Sequence, residues 1–131
     1  MRYVGGFSGF SVRDVDEARA FYRDVLGLTT HDSPMGAFEL ELPGSTERVF
    51  VYGKGEGHSP ATYTVLNLVV PDIDAAVDAL EAAGGHLERY ESMPVQDARG
   101  IARSTDPADG PTIAWLLDPS GNVVSFIESS E

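Results

Sequence analysis

Apolar and polar residues change period along this chain in the same order twice. An alternating stretch around Phe10 and Val12 leads into Asp14, after which Val15, Ala18, Tyr22, Val25 and Leu26 fall on one helical face and Gly27 supplies a left-handed stop. Shifting the chain by 58 positions lays Val12 to Ala18 over Val70 to Ala76 and carries Gly27 onto Gly85. In the second copy Ile73, Ala76, Val77, Leu80 and Ala83 form the stripe, and Gly84 and Gly85 end it. Asp14 and Asp72 stand where a helix needs an acceptor for its open N–H groups, and Glu17 completes a capping-box spacing in the first copy.

Strand patterns come after each helix. The first half offers Leu28–Asp32, Ala37–Leu42 and Arg48–Tyr52, the last two joined by the turn residues Pro43, Gly44 and Ser45. The second offers Leu87–Glu91, Thr112–Leu117 and Val123–Glu128, with Asp118 to Asn122 as a hairpin turn. Each half therefore reads βαβββ, giving an α+β chain. The Gly-rich stretch from Gly53 to Pro60 reads as a flexible connector. The expectation is one domain, 1–131, of two modules (about 1–53 and 62–131) joined by a linker at 54–61. Residues Ser92–Gly110 are rich in Pro, Asp and Gly, and predict a loop with a short extra strand at Gly100–Ser104.

At 131 residues and 42% hydrophobic, the chain is sized for a single core with room for one ligand cavity. It has no Cys, so disulfides, thiolate zinc sites and thiol nucleophiles are excluded. The formal charge of −12 makes nucleic acid a poor partner and draws cations inward. The same acidity also serves solubility alone, and both readings stay open. No run approaches the ~18 apolar residues of a membrane span, and Met1 to Gly6 lack the apolar core of a signal peptide, so a cytoplasmic protein with no membrane partner is expected.

Two local motifs are specific. The first helix ends Phe21-Tyr22-Arg23-Asp24-Val25-Leu26-Gly27, and the last hairpin turn reads Asp118-Pro119-Ser120-Gly121-Asn122. With the tandem βαβββ pattern, they resemble the vicinal oxygen chelate superfamily, which includes glyoxalase I, the extradiol dioxygenases and the bleomycin resistance proteins. The resemblance implies a curved mixed sheet around a cavity, and a homodimer in many members. It also implies where a metal would be held: a His seven residues before each helix-capping Asp, and an acidic ligand on the last strand of each module. Those positions hold Phe7 and Val65, then Ser125 and, allowing one gap, Phe50.

Phe, Val and Ser cannot supply the imidazole and carboxylate donors that a divalent ion needs. His31, His58 and His86 are scattered through turn regions without metal-binding spacing. The expectation is a chain with no metal site and no cofactor. Alternation puts Phe10 and Val12 under the first helix, and Leu66, Leu68 and Val70 under the second. The other face then gathers Phe7, Glu39, Glu41, Phe50, Tyr52, Asn67, Trp115 and Ser125 as candidate ligand-binding residues, with Val65 and Val69 beside them.

Aromatic faces beside carboxylates suit a flat or cationic organic molecule. Three alternatives remain open at this point: Glu39 and Glu41 facing bulk water, the aromatics filling core, and Asn67 bonding a strand end. No nucleophile elbow, phosphate loop or nucleotide fingerprint is present, and no catalytic residue is assigned. The leading expectation is metal-free binding of a small organic molecule, in the manner of bleomycin sequestration. The alternative is a lyase, isomerase or oxygenase of the same superfamily with atypical or relocated metal ligands.

Overall fold

The structure, a computed structural model, describes residues 1–91 and 95–129. Its contacts divide the chain into two compact units, Met1–Pro60 and Ala61–Glu131. The boundary falls at Pro60 rather than Gly53 because the connector is ordered against the first unit. Lys54 N–H donates to Val12 O at 2.9 Å, Gly55–Gly57 form a 3-10 turn, and His58 Nδ1 lies 2.8 Å from Ser11 Oγ.

The first unit comprises β1 (Ser8–Val12), α1 (Val15–Ala20), β2 (Thr29–Asp32), β3 (Phe38–Glu41) and β4 (Arg48–Gly53). Its sheet runs β1-β4-β3-β2, with β1 parallel to β4 and the other pairs antiparallel. As expected, Asp14 caps α1, its Oδ1 accepting from Glu17 N–H at 3.1 Å. The helix does not stay α-helical to Leu26. It widens into a π-turn over Phe21–Val25, where Leu26 N–H reaches Phe21 O at 3.1 Å. A π-turn takes up an extra residue and so rotates the chain beyond it. Phe21 and Tyr22 meet edge to face at 5.3 Å, and Tyr22 is fully buried against Phe10. Gly27, at φ 71°, then turns the chain into β2.

One face of this sheet carries Phe10, Val12, Phe38, Leu40, Val49 and Val51, all buried with Ala18 and Tyr22 of the helical segment. Each fully buried Val, Leu or Phe side chain among them contributes roughly 1.5–3 kcal/mol.

The second unit comprises β5 (Thr64–Val70), α2 (Ile73–Ala82), β6 (Ile113–Leu117) and β7 (Val123–Glu128). Its sheet is β5-β7-β6, with β5 parallel and β6 antiparallel to β7. Asp72 caps α2 through Ala75 N–H, and Ile73, Val77 and Leu80 are buried, whereas Ala83 lies beyond the helix and is exposed. The outer side of α2 carries Asp74, Asp78 and Glu81.

No strand is formed at Leu87–Glu91, where the pattern predicts one, so among the described residues the second unit shows one strand fewer than the βαβββ pattern. Glu88 N–H still donates to Trp115 O at 2.7 Å. Beyond that bond, the carboxamide of Gln96 takes the place of a neighbouring strand. Its Oε1 accepts from Tyr90 N–H, and its Nε2 donates to Glu88 O and Gly100 O. The short strand expected at Gly100–Ser104 reduces to a single bridge, Ala102 to Ile113.

The polar stretch Ser92–Gly110 is a loop where it is described; Ser92, Met93 and Pro94 lie outside the described residues. Asp97 Oδ1 accepts from the N–H groups of Arg99, Gly100 and Ile101, which draws the chain into a tight turn with Ile101 fully buried. Arg99 then bonds Asp74, Asp78 and Glu81 of α2, and Arg103 bonds Asp74 and Asp97. Side-chain bonds to Arg103, with the charges of Arg103 and Arg99, hold the Asp74 carboxyl below the usual carboxylate range. Partial burial opposes the charge of Asp97, yet the Ile101 N–H and Arg103 outweigh it and lower this carboxyl too.

The Asp118 turn is buried. Asp118 Oδ1 accepts from Ser120 N–H at 2.8 Å and Asn122 N–H at 2.9 Å, while Asn122 Oδ1 accepts from Ala61 N–H at 3.2 Å. The hairpin motif is therefore structural, tying the start of the second unit to its last hairpin.

Asp118→Ala removes the acceptor of two buried N–H groups and should cost about 3 kcal/mol in urea unfolding; a change within about 0.5 kcal/mol, the scale of a surface substitution, would contradict this role. The lowered Asp74 and Asp97 carboxyls favour the folded state above their unfolded pKa, about 3.9, and lose that contribution as pH falls through their lower folded values. Thermal midpoints should therefore drop from about pH 5 towards about pH 2, and the double variant Arg99→Ala/Arg103→Ala should flatten that dependence.

Candidate functional site

Strand alternation gives each sheet an open face opposite its helix. In the first unit Gly9 pairs with Phe50 and Ser11 with Tyr52, Glu39 lies between Phe50 and His31, and Glu41 pairs with Arg48. These residues share one face. Phe7, just before β1 and 74% exposed, sets its ring edge-on to Phe50 at 5.9 Å. Phe50 in turn stacks on Tyr52 at 5.8 Å with 22° between planes. A Cβ on Gly9 would come within 2.8 Å of Phe50 O, so only glycine fits beside this aromatic row. Phe7, Glu39, Glu41, Phe50 and Tyr52 lie on or beside this one face.

The carboxylates are not bare. Glu39 Oε1 lies 3.5 Å from Arg48 Nη1, and Glu41 Oε1 lies 3.8 Å from His31 Nε2, a nitrogen shielded from solvent and with no hydrogen-bond partner among the described residues. Arg48 and His31 are the residues that sequence reasoning missed here. Arg48 was findable by stepping back two positions from Phe50; His31 required the β2–β3 register.

In the second unit Ser125 is flanked in register by Asn67 and Trp115, and Ile127 by Val69 and Ile113. Ser125 is fully buried and its hydroxyl donates to Asn67 Oδ1 at 2.6 Å. That answers the question left by the sequence: the partner of Asn67 is a side chain on the same open face, not a strand end. Trp115 receives the ring of Tyr90 edge to face at 5.6 Å. Burial, then the charge of Glu88, raises the Tyr90 phenol above its ordinary value. Trp115 and Ile113 also line a cleft of about 350 Å³ with Ala102, Arg103, Asp109 and Pro111. The β5 register differs from simple alternation. A bulge makes Thr64, rather than Val65, the partner of Val123.

The four positions at which the resemblance implied metal ligands hold two phenyl rings, an isopropyl group and a hydroxyl already donated to Asn67. This donor set does not fit a divalent ion. Among the described residues no three His, Asp or Glu side chains are grouped to hold one.

Two βα-initiated modules, each with a mixed sheet whose outer strand is parallel to a central one, define a class of small α+β proteins. The chain belongs to the Glyoxalase/Bleomycin resistance protein/Dioxygenase superfamily, whose model matches residues 6–126. It is 29% identical over 129 residues to a lactoylglutathione lyase of Haemophilus influenzae, covering 90% of this chain and 87% of the relative. Its fold is shared with TnmS3, an antibiotic binding protein from Streptomyces sp. CB03234, at 20% identity and TM-score 0.66, covering 99% of this chain and 100% of that one. A superfamily member from Sphaerobacter thermophilus matches at 22% identity and TM-score 0.65, covering 96% and 98% of the two chains. Among the described residues no helix is long and apolar enough to cross a membrane.

Trp115 is the only tryptophan in the sequence, so its emission reports on this face alone. Tyr90→Ala should move that emission to longer wavelength by uncovering the indole; an unchanged spectrum would show that the edge contact does not shield it.

Proposed function

We propose that the chain binds a small, flat organic molecule on its open sheet faces, without a metal, and sequesters it rather than transforming it. The observation that carries this reading is the exchange of ligand positions for aromatic ones: Phe7 and Phe50 stand where relatives would grip an ion, and their rings touch one another and continue into Tyr52. Such a row offers stacking area worth about 0.5–1.5 kcal/mol per aromatic contact beyond burial. The fold likeness to an antibiotic binding protein supports the same reading.

Ligand charge is selected less sharply than the sequence suggests, because Glu39 has Arg48 beside it and Glu41 has His31. A preference for cations then rests on the overall charge of −12, which acts on encounter more than on contact. In this reading the two units act as modules of one domain, 1–131, in a homodimeric cytoplasmic protein.

A second reading, an enzyme of the superfamily, is favoured by the lyase relatives and by the His31, Glu39 and Glu41 side chains on one open face. Elemental analysis of protein purified without chelators separates the two, since stoichiometric Zn, Ni, Mn or Fe would support the enzyme. For the leading reading, a calorimetric and thermal-shift panel of flat neutral, cationic and anionic aromatics should yield binders whose affinity falls about tenfold in Phe50→Ala, the equivalent of about 1.4 kcal/mol. Binding indifferent to Phe50, or stabilisation by anions alone, would overturn it.

A further inference from the structure

The open face of the second unit carries a polar device amid apolar neighbours. Ser125, fully buried, donates its hydroxyl proton to Asn67 Oδ1 at 2.6 Å. That bond fixes which end of the carboxamide is engaged, leaving Nδ2 with no partner among the described residues. Asn67 itself is exposed, whereas Val69, Ile127 and Ile113 on the same face offer no side-chain acceptor. The carboxamide therefore presents two N–H donors, oriented in advance, at a spot where no protein group competes for them.

The register also places an aromatic surface at a useful distance. Asn67 and Trp115 are each one strand removed from Ser125, on opposite sides, so their backbones stand about 10 Å apart across β7. The Ser125 proton is already committed, and the site offers donors and a π-face. That combination selects a flat ligand carrying a hydrogen-bond acceptor on its ring and disfavours one that can only donate.

We propose that Asn67, held by Ser125 as a positioning residue, recognises a ring carbonyl of an aromatic ligand that stacks near Trp115, so that quinones and aryl ketones are the ligand class. This rests on the small-molecule reading above and narrows it. The probes are menadione, a naphthoquinone, and 2-methylnaphthalene, which keeps the fused rings and the methyl group but lacks both carbonyls. Binding is read by thermal shift, and its location by quenching of the single tryptophan.

Menadione should bind the intact protein roughly tenfold more tightly than 2-methylnaphthalene and quench Trp115. Asn67→Asp keeps an acceptor for Ser125 but removes both donors, and should abolish that preference. Ser125→Ala should fold and retain Asn67, yet reduce the preference severalfold, a ratio that a merely structural serine would not move. Equal binding of the two probes, or a preference untouched by Asn67→Asp, would overturn the carbonyl assignment and leave the aromatic reading standing. Binding of neither probe would overturn both.

Discussion

Strands β4 and β7 each lie between a parallel first strand and an antiparallel neighbour, and that placement makes their register decide the side of three strands at once. Because strand side chains alternate, moving β4 by one residue would bring Phe50 and Tyr52 under the helix and expel Val49 and Val51. The burial of Val49, Val51, Phe38 and Leu40 resists such a slip. The open face is thus specified from behind, by what the helix covers. The same holds for β7, where Val124 and Phe126 are buried beside α2 and Ser125 is left facing Asn67 and Trp115.

Among its described residues the second unit reaches a similar end with one strand fewer, and side chains take the place of a ladder there. A strand at 88–90 would satisfy its backbone by pairing; here the two ends of the Gln96 carboxamide satisfy Tyr90 N–H and Glu88 O. The loop that carries Gln96 is itself held to α2 by Arg99 and Arg103, against three carboxylates on the helix and one in the loop. Individual exposed ion pairs stabilise weakly, but shared guanidinium groups in a network give the loop a fixed address. Tyr90 and the cleft beside Trp115 take their positions from that anchoring, so the chemistry of the open face depends on charges lying behind it.

Much of this was legible in the residues. The repeat, both Asp caps, the strand assignments outside Leu87–Glu91 and Gly100–Ser104 and the partition of faces come from periodicity and turn chemistry, which are local. The failures have a common cause. The backbone of Leu87–Glu91, β-like in composition, bonds the Gln96 side chain instead of a strand, and the continuous helix expected to Leu26 is interrupted by a π-turn at Phe21–Val25, where Tyr22 packs on Phe10. His31 beside Glu41 and Tyr90 beside Trp115 depend on cross-strand and loop positions that no single-strand pattern encodes. The bulge that substitutes Thr64 for Val65 is likewise a matter of pairing.

The positions where the resemblance implied metal donors carry other side chains here, and a shared fold does not by itself fix the chemistry of a site. Each replacement here has a physical consequence of its own. Phe7 and Phe50, at two of those positions, form an edge-to-face aromatic contact that leaves Phe7 largely exposed. At a third, Ser125 is a buried hydroxyl that donates to the Asn67 carboxamide oxygen. Charge, polarity and shape at those positions therefore change together. Restoring a His or Glu at one of them would leave an isolated donor among phenyl rings or beside Asn67, since a divalent ion needs several ligands in one geometry and a lone buried carboxylate is costly. The sheet architecture is kept, and the chemical character of the face opposite each helix is set by which side chains the register places there.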